Sequence, residues 1–197
     1  MSRIVLARHG ETLFNTRDVF RGRADPALTE AGLPSVRRQA EGIARLHPRR
    51  ILASPRRRAL QTAEIIADRC QRFVEVEERL DDLDYGEWTG LSKTDAATRS
   101  PEQWIHYERS PEALVPPHGE PMSAFVERLN ALWSERSEDE DVVVLVTHDV
   151  VIRALVCSVL HAPLSSMHAL HVDVASTTCV ELRPKPTLVW LNDNGRS

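Results

Sequence analysis

Short apolar runs alternate along the chain with stretches in which apolar residues recur every three or four positions. The short runs predict strands over 3–7, 50–53, 73–76, 142–146, 177–182 and 188–191. The helical spacing predicts helices over 29–46, 54–70, 150–160 and from about 125 to an acidic run at 138–141. Strands that alternate with helices predict an α/β fold, in which the run 142–146, apolar throughout, forms a central parallel strand.

Start and stop signals refine two of these helices. Thr29 opens the first helix, and Glu30 lies in its first turn. Ser54 is a predicted N-cap and Pro55 a predicted first helical residue of the second helix. The acidic run 138–141 is predicted to be a solvated loop.

The stretch from 91 to 121 departs from the alternating pattern. It contains short helical pieces and a proline-rich loop, which predict an insertion over one edge of the sheet. Trp104 and Tyr107 are predicted to form its own small apolar anchor. The chain has 197 residues, 42% of them hydrophobic and 27% charged, so we expect a single domain over 1–197 that carries this insertion.

Charge and composition exclude several classes of partner. The net charge of -4 provides no global basic field for a nucleic acid or an anionic membrane surface. No apolar stretch is long enough to span a bilayer and no signal core precedes residue 8, so we expect a cytoplasmic protein. Cys70, Cys157 and Cys179 are widely spaced and are predicted to be buried, reduced thiols. His168 and His171 lack a matching ligand set, and we expect no metal and no cofactor.

Each candidate chemical motif directly follows a predicted strand. Arg8 and His9 follow the first strand, Arg58 the second, Asp82 the third, and His148 the run 142–146. Because ligands bind beyond the carboxyl ends of strands in open α/β sheets, these side chains are expected to share one pocket.

Together these residues suit phosphoryl transfer. Neutral His9 is the predicted nucleophile. Arg8, Arg58 and either a protonated or a hydrogen-bonding His148 are predicted to bind the phosphoryl oxygens, beside the helix N-terminus at 54–55. Asp82 is the predicted acid that protonates the leaving oxygen, because a neighbouring phosphate raises its pKa.

Several motifs resemble those of the histidine phosphatase superfamily, in its phosphoglycerate mutase-like branch. They cover almost the whole chain in order: Arg8-His9-Gly10-Glu11-Thr12 with Asn15, Leu28 to Gly32, Ser54-Pro55 with Arg58-Ala59 and Gln61-Thr62-Ala63, Asp84 to Trp88 with Gly90, Gly119-Glu120, and Val146-Thr147-His148 with Arg153.

The resemblance implies a three-layer α/β/α sandwich with a mostly parallel central sheet. It also implies a metal-free, two-step reaction through phosphohistidine at His9, as in small phosphatases of the α-ribazole or broad-specificity type. Asn15 is implied to assist in binding phosphate, and the backbone near Arg21 and Gly22 to shape the site. Arg21 is also a candidate contact to another substrate group.

Two residues depart from the family pattern. Asp82 stands where this branch usually has a glutamate, so the acid is one methylene shorter. Asp149 follows His148 where this branch often has glycine, and an aspartate at this place is the proton donor in the acid phosphatase branch. We favour Asp82, because the segment 80–90 around it matches the mutase-like branch.

Other charged residues receive simpler interpretations. Arg56 and Arg57 are predicted rim charges, because they project from the helix at other angles than Arg58. Arg153 is predicted to form a structural ion pair. His118 and Glu120 are candidates for the pocket entrance.

The favoured function is a phosphatase that acts on a small organic phosphomonoester. A phosphoglycerate mutase is the close alternative, although the insertion holds few cations: Lys93, Arg99 and Arg109. A non-catalytic phospholigand-binding module is the alternative from another class. The sequence leaves open the physiological substrate and whether the protein is a monomer or a homodimer.

Overall fold

The computed structural model describes residues 2–15, 17, 19–137 and 141–195. Its strands are β1 (Arg3–Arg8), β2 (Arg50–Ala53), β3 (Val74–Val76), β4 (Val142–Thr147), β5 (Thr177–Glu181) and β6 (Thr187–Asp193). Its helices are α1 (Leu33–Ala44), α2 (Arg57–Cys70), α3 (Lys93–Arg99), α4 (Pro101–Arg109), α5 (Met122–Arg136) and α6 (Asp149–Val159). Short 3-10 turns lie between them at Glu30–Gly32, Glu78–Leu80, Gly86–Trp88, Pro111–Ala113 and Leu164–Ala169.

The six strands form one sheet in the order β3-β2-β4-β1-β5-β6. The first four of these are mutually parallel, whereas β5 pairs antiparallel with β1, and β6 with β5. One face of the sheet is covered by α1 and α2, and the other by α5 and α6, each over its own apolar core. The predicted three-layer α/β/α sandwich and the central, parallel position of β4 are therefore confirmed.

The start of α2 differs from the prediction. The helix begins at Arg57, and Asp25 Oδ1 from a distant loop accepts the Arg57 backbone N–H at 2.6 Å. Arg56 is extended and takes the N-cap position, so Ser54 lies two residues before the N-cap. Thr29 caps the 3-10 turn Glu30–Gly32, since its hydroxyl oxygen accepts the Gly32 backbone N–H at 3.1 Å, but α1 itself begins later than predicted, at Leu33.

The insertion at about 91–121 contains α3, α4 and a 3-10 turn. The sequence predicts a separate anchor for its aromatic residues, and this prediction is wrong. These residues pack instead into a cluster with the main core. Trp104 and Tyr107 lie 6.4 and 5.4 Å from the ring of Phe20, and both lie 6.0 Å from the ring of Trp88. The insertion is thus joined to residues next to the predicted pocket.

Several expectations concern the rest of the chain. Cys157 and Cys179 are buried, Cys70 is half-buried, and all three are free thiols. Within the described ranges, no helix is both long enough and apolar enough to cross a bilayer. The predicted loop at 138–141 lies outside the described residues except for Asp141.

Candidate active site

The pairing of β1 with β4 brings the two predicted histidines together. Arg8 is opposite Thr147 in the parallel register, so the residues that follow, His9 and His148, leave the sheet side by side. Their ring centroids are 5.3 Å apart, and both side chains are almost completely buried. The convergence that the strand ends predict is present in the structure.

A backbone carbonyl fixes the tautomer of His9. His9 Nδ1 lies 2.7 Å from the carbonyl oxygen of Gly10, which only accepts hydrogen bonds, so Nδ1 carries the proton and Nε2 the lone pair. Burial and the positive charges of Arg58 and Arg8 hold the pKa of His9 well below its ordinary value. His9 is therefore a neutral imidazole with a free lone pair, as a nucleophile must be.

His148 contacts both a hydroxyl group and the edge of the anion site. Its Nε2 lies 2.8 Å from Ser54 Oγ, and its Nδ1 lies 3.6 Å from Asp82 Oδ2. Burial, together with Arg58 and His9, lowers the pKa of His148 well below its ordinary value. Of the two forms that the sequence left open, this environment favours the neutral, hydrogen-bonding one.

Arg58 is fully buried in the first turn of α2 and is oriented by three acceptors. Its Nη1 donates to the Ala24 carbonyl at 2.5 Å, and its Nη2 donates to the Gly22 carbonyl at 2.9 Å and to Asp82 Oδ2 at 2.8 Å. Gly22 has φ +46°, and a Cβ there would lie 3.1 Å from the Leu83 carbonyl oxygen. Gly22 thus acts on the site through Arg58.

Three buried side-chain nitrogens lack hydrogen-bond partners among the described residues: Arg8 Nε, Arg58 Nε and His148 Nδ1. Arg8 is otherwise held by the Val172 carbonyl, to which its Nη1 donates. Buried polar atoms are almost always satisfied in folded proteins, so the two guanidinium N–H groups among these three point to a bound anion.

Asp82 reaches the site despite its shorter side chain. Its carboxylate contacts both Arg58 and His148, and only 4% of the residue is exposed. Burial raises the pKa of Asp82 to about 6, against the opposing charge of Arg58 and with a contribution from Asp149. A carboxyl group in this environment keeps its proton at a higher pH than an ordinary aspartate.

Asp149, the rival acid, is surrounded by arginines, unlike Asp82. Its Oδ2 is 3.3 Å from Arg153 Nη2, 3.8 Å from Arg8 Nη2 and 3.9 Å from Arg21 Nη2. Burial favours the protonated form, but the three guanidinium groups outweigh it and hold the pKa of Asp149 well below its ordinary value. Asp149 is therefore a carboxylate that binds arginines, and the predicted ion pair of Arg153 is the contact to Asp149.

An outer cavity of about 420 Å³ adjoins Arg8 and is lined by Asn15 and Arg21, which the sequence predicts to contact substrate, and by the rival acid Asp149. Gly22 does not line it. Asn15 Oδ1 accepts the backbone N–H and the hydroxyl of Thr12, both at 2.8 Å, so Asn15 can offer its amide N–H to a substrate. The cavity is further lined by Phe20, Tyr85, Tyr107, Met167 and Val172.

Some contacts at the site have no simple sequence signal. Ser54 binds His148 instead of capping α2, and its oxygen accepts the Arg56 backbone N–H at 3.3 Å. Arg56 is not a rim charge, because it forms two 2.8 Å hydrogen bonds with the buried Asp81. The prediction of a free anion site at the N-terminus of α2 is wrong, because the Asp25 carboxylate already accepts the Arg57 backbone N–H.

Two predicted entrance residues lie elsewhere. Glu120 is largely buried against Arg128, and His118 is exposed beside Glu87. Neither lines the outer cavity.

The histidines considered as metal ligands have other contacts. His168 Nε2 lies 2.8 Å from the Tyr107 carbonyl oxygen, and His171 Nε2 lies 2.9 Å from Asp173 Oδ1. Over the part of the chain that the structure describes, no three His, Cys, Asp or Glu side chains are grouped to hold a metal.

Comparisons with known proteins identify the family. The model of the histidine phosphatase superfamily (branch 1) matches residues 4–194. A putative phosphoserine phosphatase 2 of Hydrogenobacter thermophilus is 28% identical over 98% of this chain and 96% of that protein. A probable phosphoglycerate mutase GpmB of Erwinia tasmaniensis is 31% identical over 97% of this chain and 88% of that protein.

The fold is also found among solved structures. A putative alpha-ribazole-5'-P phosphatase of Escherichia coli superposes with a TM-score of 0.88 at 23% identity, over 99% of this chain and 98% of that one.

Proposed function

The chain belongs to branch 1 of the histidine phosphatase superfamily, and we propose that it hydrolyses a small organic phosphomonoester through a phosphohistidine at His9. The observation that carries this proposal is the fixed tautomer of His9. Its Nδ1 proton is held by the Gly10 carbonyl, which leaves the Nε2 lone pair free, and the two arginines whose charges act on His9, Arg8 and Arg58, each carry a buried Nε–H without a partner among the described residues. The name of the Hydrogenobacter relative supports a hydrolytic reaction.

In the first step, His9 Nε2 attacks phosphorus and the bond from phosphorus to the ester oxygen breaks. Asp82 gives its proton to that oxygen, so the alcohol leaves neutral and Asp82 becomes a carboxylate. Arg8, Arg58 and His148 donate to the three non-bridging oxygens, whose charge increases in the transition state.

In the second step, water attacks phosphorus and the bond from phosphorus to His9 Nε2 breaks. The Asp82 carboxylate takes the proton of the water, which regenerates the acid. Inorganic phosphate leaves, and His9 returns to its neutral form with the proton still on Nδ1. No metal takes part in either step.

The outer cavity favours hydrolysis over mutase chemistry. A mutase must retain the leaving group and bind two anionic groups at once. The cations that line the cavity, Arg8, Arg21, Lys93 and Arg153, are nearly balanced by Glu11, Asp149 and Asp173. The similarity to a probable phosphoglycerate mutase keeps mutase activity as the second candidate.

The insertion at about 91–121 of this single domain is the part that sets substrate specificity. Lys93 and Tyr107 from the insertion line the outer cavity. Tyr107 also packs on Phe20, so the insertion and the loop after β1 form one wall. The organic part of the substrate lies against this wall.

The experiment is a phosphate-release assay with p-nitrophenyl phosphate and phosphoserine, which compares wild type with His9→Ala. We expect His9→Ala to lose at least about 10³-fold in kcat, because the nucleophile is removed. The control is His47→Asn, which changes an exposed histidine and retains its left-handed backbone.

Rapid quenching with radiolabelled substrate should give an acid-labile, alkali-stable label on wild type only. Full activity in His9→Ala would overturn the mechanism. Conversion of 3-phosphoglycerate to its isomer without phosphate release would establish the mutase instead. Phosphate binding without turnover of any phosphomonoester would indicate the non-catalytic module.

A further inference from the structure

We propose that Arg128, paired with Glu120, is a positioning residue that holds Asp82 in place for proton transfer, a role that rests on the proposed function. Neither residue touches the space around His9. Their effect is transmitted through the backbone of the segment 79–84, which carries Asp82 between the sheet and α5.

Arg128 binds two backbone carbonyls, one in the turn before Asp82 and one at Asp82 itself. From α5, its Nη1 donates to the Arg79 carbonyl at 2.7 Å, and its Nη2 donates to the Asp82 carbonyl at 3.1 Å. The side chain is only 17% exposed and stacks over Phe125, 4.8 Å from the ring centroid. A planar guanidinium with several donors can bridge two carbonyl groups in a way that a lysine cannot.

Glu120 fixes the orientation of Arg128 and binds the far end of the segment. Its carboxylate accepts Arg128 Nε at 2.7 Å and Nη2 at 2.9 Å. Its backbone N–H donates to the Asp84 carbonyl at 2.9 Å. The pair therefore ties the residues on both sides of Asp82 to α5.

Contacts from the opposite side explain why this pair is needed. Asp81 is bound by Arg56, and the Thr147 hydroxyl donates to the Leu80 carbonyl at 2.6 Å. These contacts hold residues 80 and 81. At residue 82, the N–H donates to Asp81 Oδ1 at 2.8 Å and Oδ1 accepts the Leu83 N–H at 3.0 Å, and Arg128 is the residue that binds the carbonyl.

The Asp82 carboxylate is also attracted by Arg58, 2.8 Å away. When Arg128 no longer binds the Asp82 carbonyl, the attraction of Arg58 can pull the Asp82 carboxylate toward itself. Asp82 then leaves the position from which it protonates the leaving oxygen. A displacement of about 1 Å at a catalytic group can cost on the order of 100-fold in rate.

The test compares two substrates in the full chain. One is an alkyl phosphate that wild type hydrolyses, whose alkoxide leaving group needs a proton. The other is p-nitrophenyl phosphate, whose phenolate leaves without one. The measured quantity is the ratio of the two kcat values, which does not depend on the fraction of enzyme that is folded.

We expect Arg128→Met to lower kcat for the alkyl phosphate by about 10- to 100-fold and kcat for the aryl phosphate by less than about 3-fold. Glu120→Gln should change the ratio in the same direction by a smaller factor. The matched control is Arg72→Met, because Arg72 also donates to two backbone carbonyls, those of Pro48 and Gln71, but lies outside the segment 79–84. It should leave the ratio unchanged.

Three results would overturn the proposal. If Arg128→Met lowers both kcat values equally, the residue has only a structural role. If Asp82→Asn, measured in parallel, leaves the ratio unchanged, the acid assignment fails and the role of Arg128 fails with it. If the ratio is normal in Arg128→Met but changed in Asp82→Asn, the positioning role of Arg128 is refuted and Asp82 remains the acid.

Discussion

Asp82 accepts a 2.8 Å hydrogen bond from Arg58, yet its pKa is raised to about 6. An adjacent guanidinium normally lowers the pKa of a carboxyl group. Here the loss of water around the buried carboxylate outweighs the attraction of Arg58, and the charge of Asp149 adds to the effect. A bound phosphate would raise this pKa further, so the occupied site favours a protonated acid.

The first prediction separates the two candidate acids. Asp82→Asn should lower kcat for an alkyl phosphate by about 10²- to 10⁴-fold and affect p-nitrophenyl phosphate much less, because only the alkyl leaving group requires protonation. Asp149→Asn should change KM by the same factor for both substrates and leave the ratio of their kcat values unchanged, because Asp149 contacts Arg8 and Arg21 and does not protonate the leaving oxygen. Steady-state kinetics on both substrates checks this. If Asp149→Asn lost activity on the alkyl phosphate only, while Asp82→Asn kept its activity on that substrate, Asp149 would be the acid instead.

The second prediction concerns pH. Because Asp82 acts as an acid only while protonated, kcat/KM for an alkyl phosphate should fall as pH rises through about 6. An aspartate with an ordinary pKa would lose its proton near pH 4 and give no such decline. The profile is measured from pH 5 to pH 8, with p-nitrophenyl phosphate as the control for substrate ionisation. An identical decline with both substrates would exclude Asp82 as its cause.

The third prediction concerns stability. The pKa of Asp82 is about 6 in the folded chain and about 4 in the unfolded one. Between these values the unfolded chain has already lost the proton, so the free energy of unfolding falls as pH rises and stays lower above about 6. Asp82→Asn avoids this loss and should be more stable than wild type at pH 8, by on the order of 2 kcal/mol.

Urea unfolding at pH 4 and pH 8 measures this effect. The difference between Asp82→Asn and wild type should be small at pH 4, and the exposed Asp68→Asn on α2 should show no comparable change with pH. Equal stability of wild type and Asp82→Asn at pH 8 would contradict the raised pKa.

Strand ends could be predicted from the sequence because the signal for them is local. The apolar run at 142–146 predicts a central strand, and its pairing with β1 places His148 next to His9. The choice between Asp82 and Asp149 could not be made from spacing. It depends on burial and on arginines that approach Asp149 from three separate parts of the chain.

The other missed contacts have a similar cause. Ser54 before Pro55 has the local signature of a helix cap, but Asp25 takes that place and leaves the serine for His148. Arg128 lies on an amphipathic helix, where an arginine usually faces solvent. Its partner carbonyls come from a segment 46 or more residues earlier, so no periodicity indicates them.

The last prediction concerns Gly22, which orients Arg58. At φ +46°, an alanine is strained, and its Cβ would lie 3.1 Å from the Leu83 carbonyl oxygen and 3.2 Å from the Tyr85 backbone nitrogen. Both neighbours are backbone atoms, so the loop must move, and with it the carbonyl that accepts Arg58 Nη2. Gly22→Ala should therefore lower stability by about 1–2 kcal/mol and weaken inhibition by inorganic phosphate by about 10-fold.

The control for this change is Gly42→Ala. Gly42 lies within α1 with open space where a Cβ would be, so alanine there should raise stability by about 0.5–1 kcal/mol and leave the phosphate inhibition constant unchanged. Thermal unfolding and the inhibition constant are measured on both variants. A Gly22→Ala enzyme that loses stability but binds phosphate normally would show that Arg58 is oriented by Ala24 and Asp82 without Gly22.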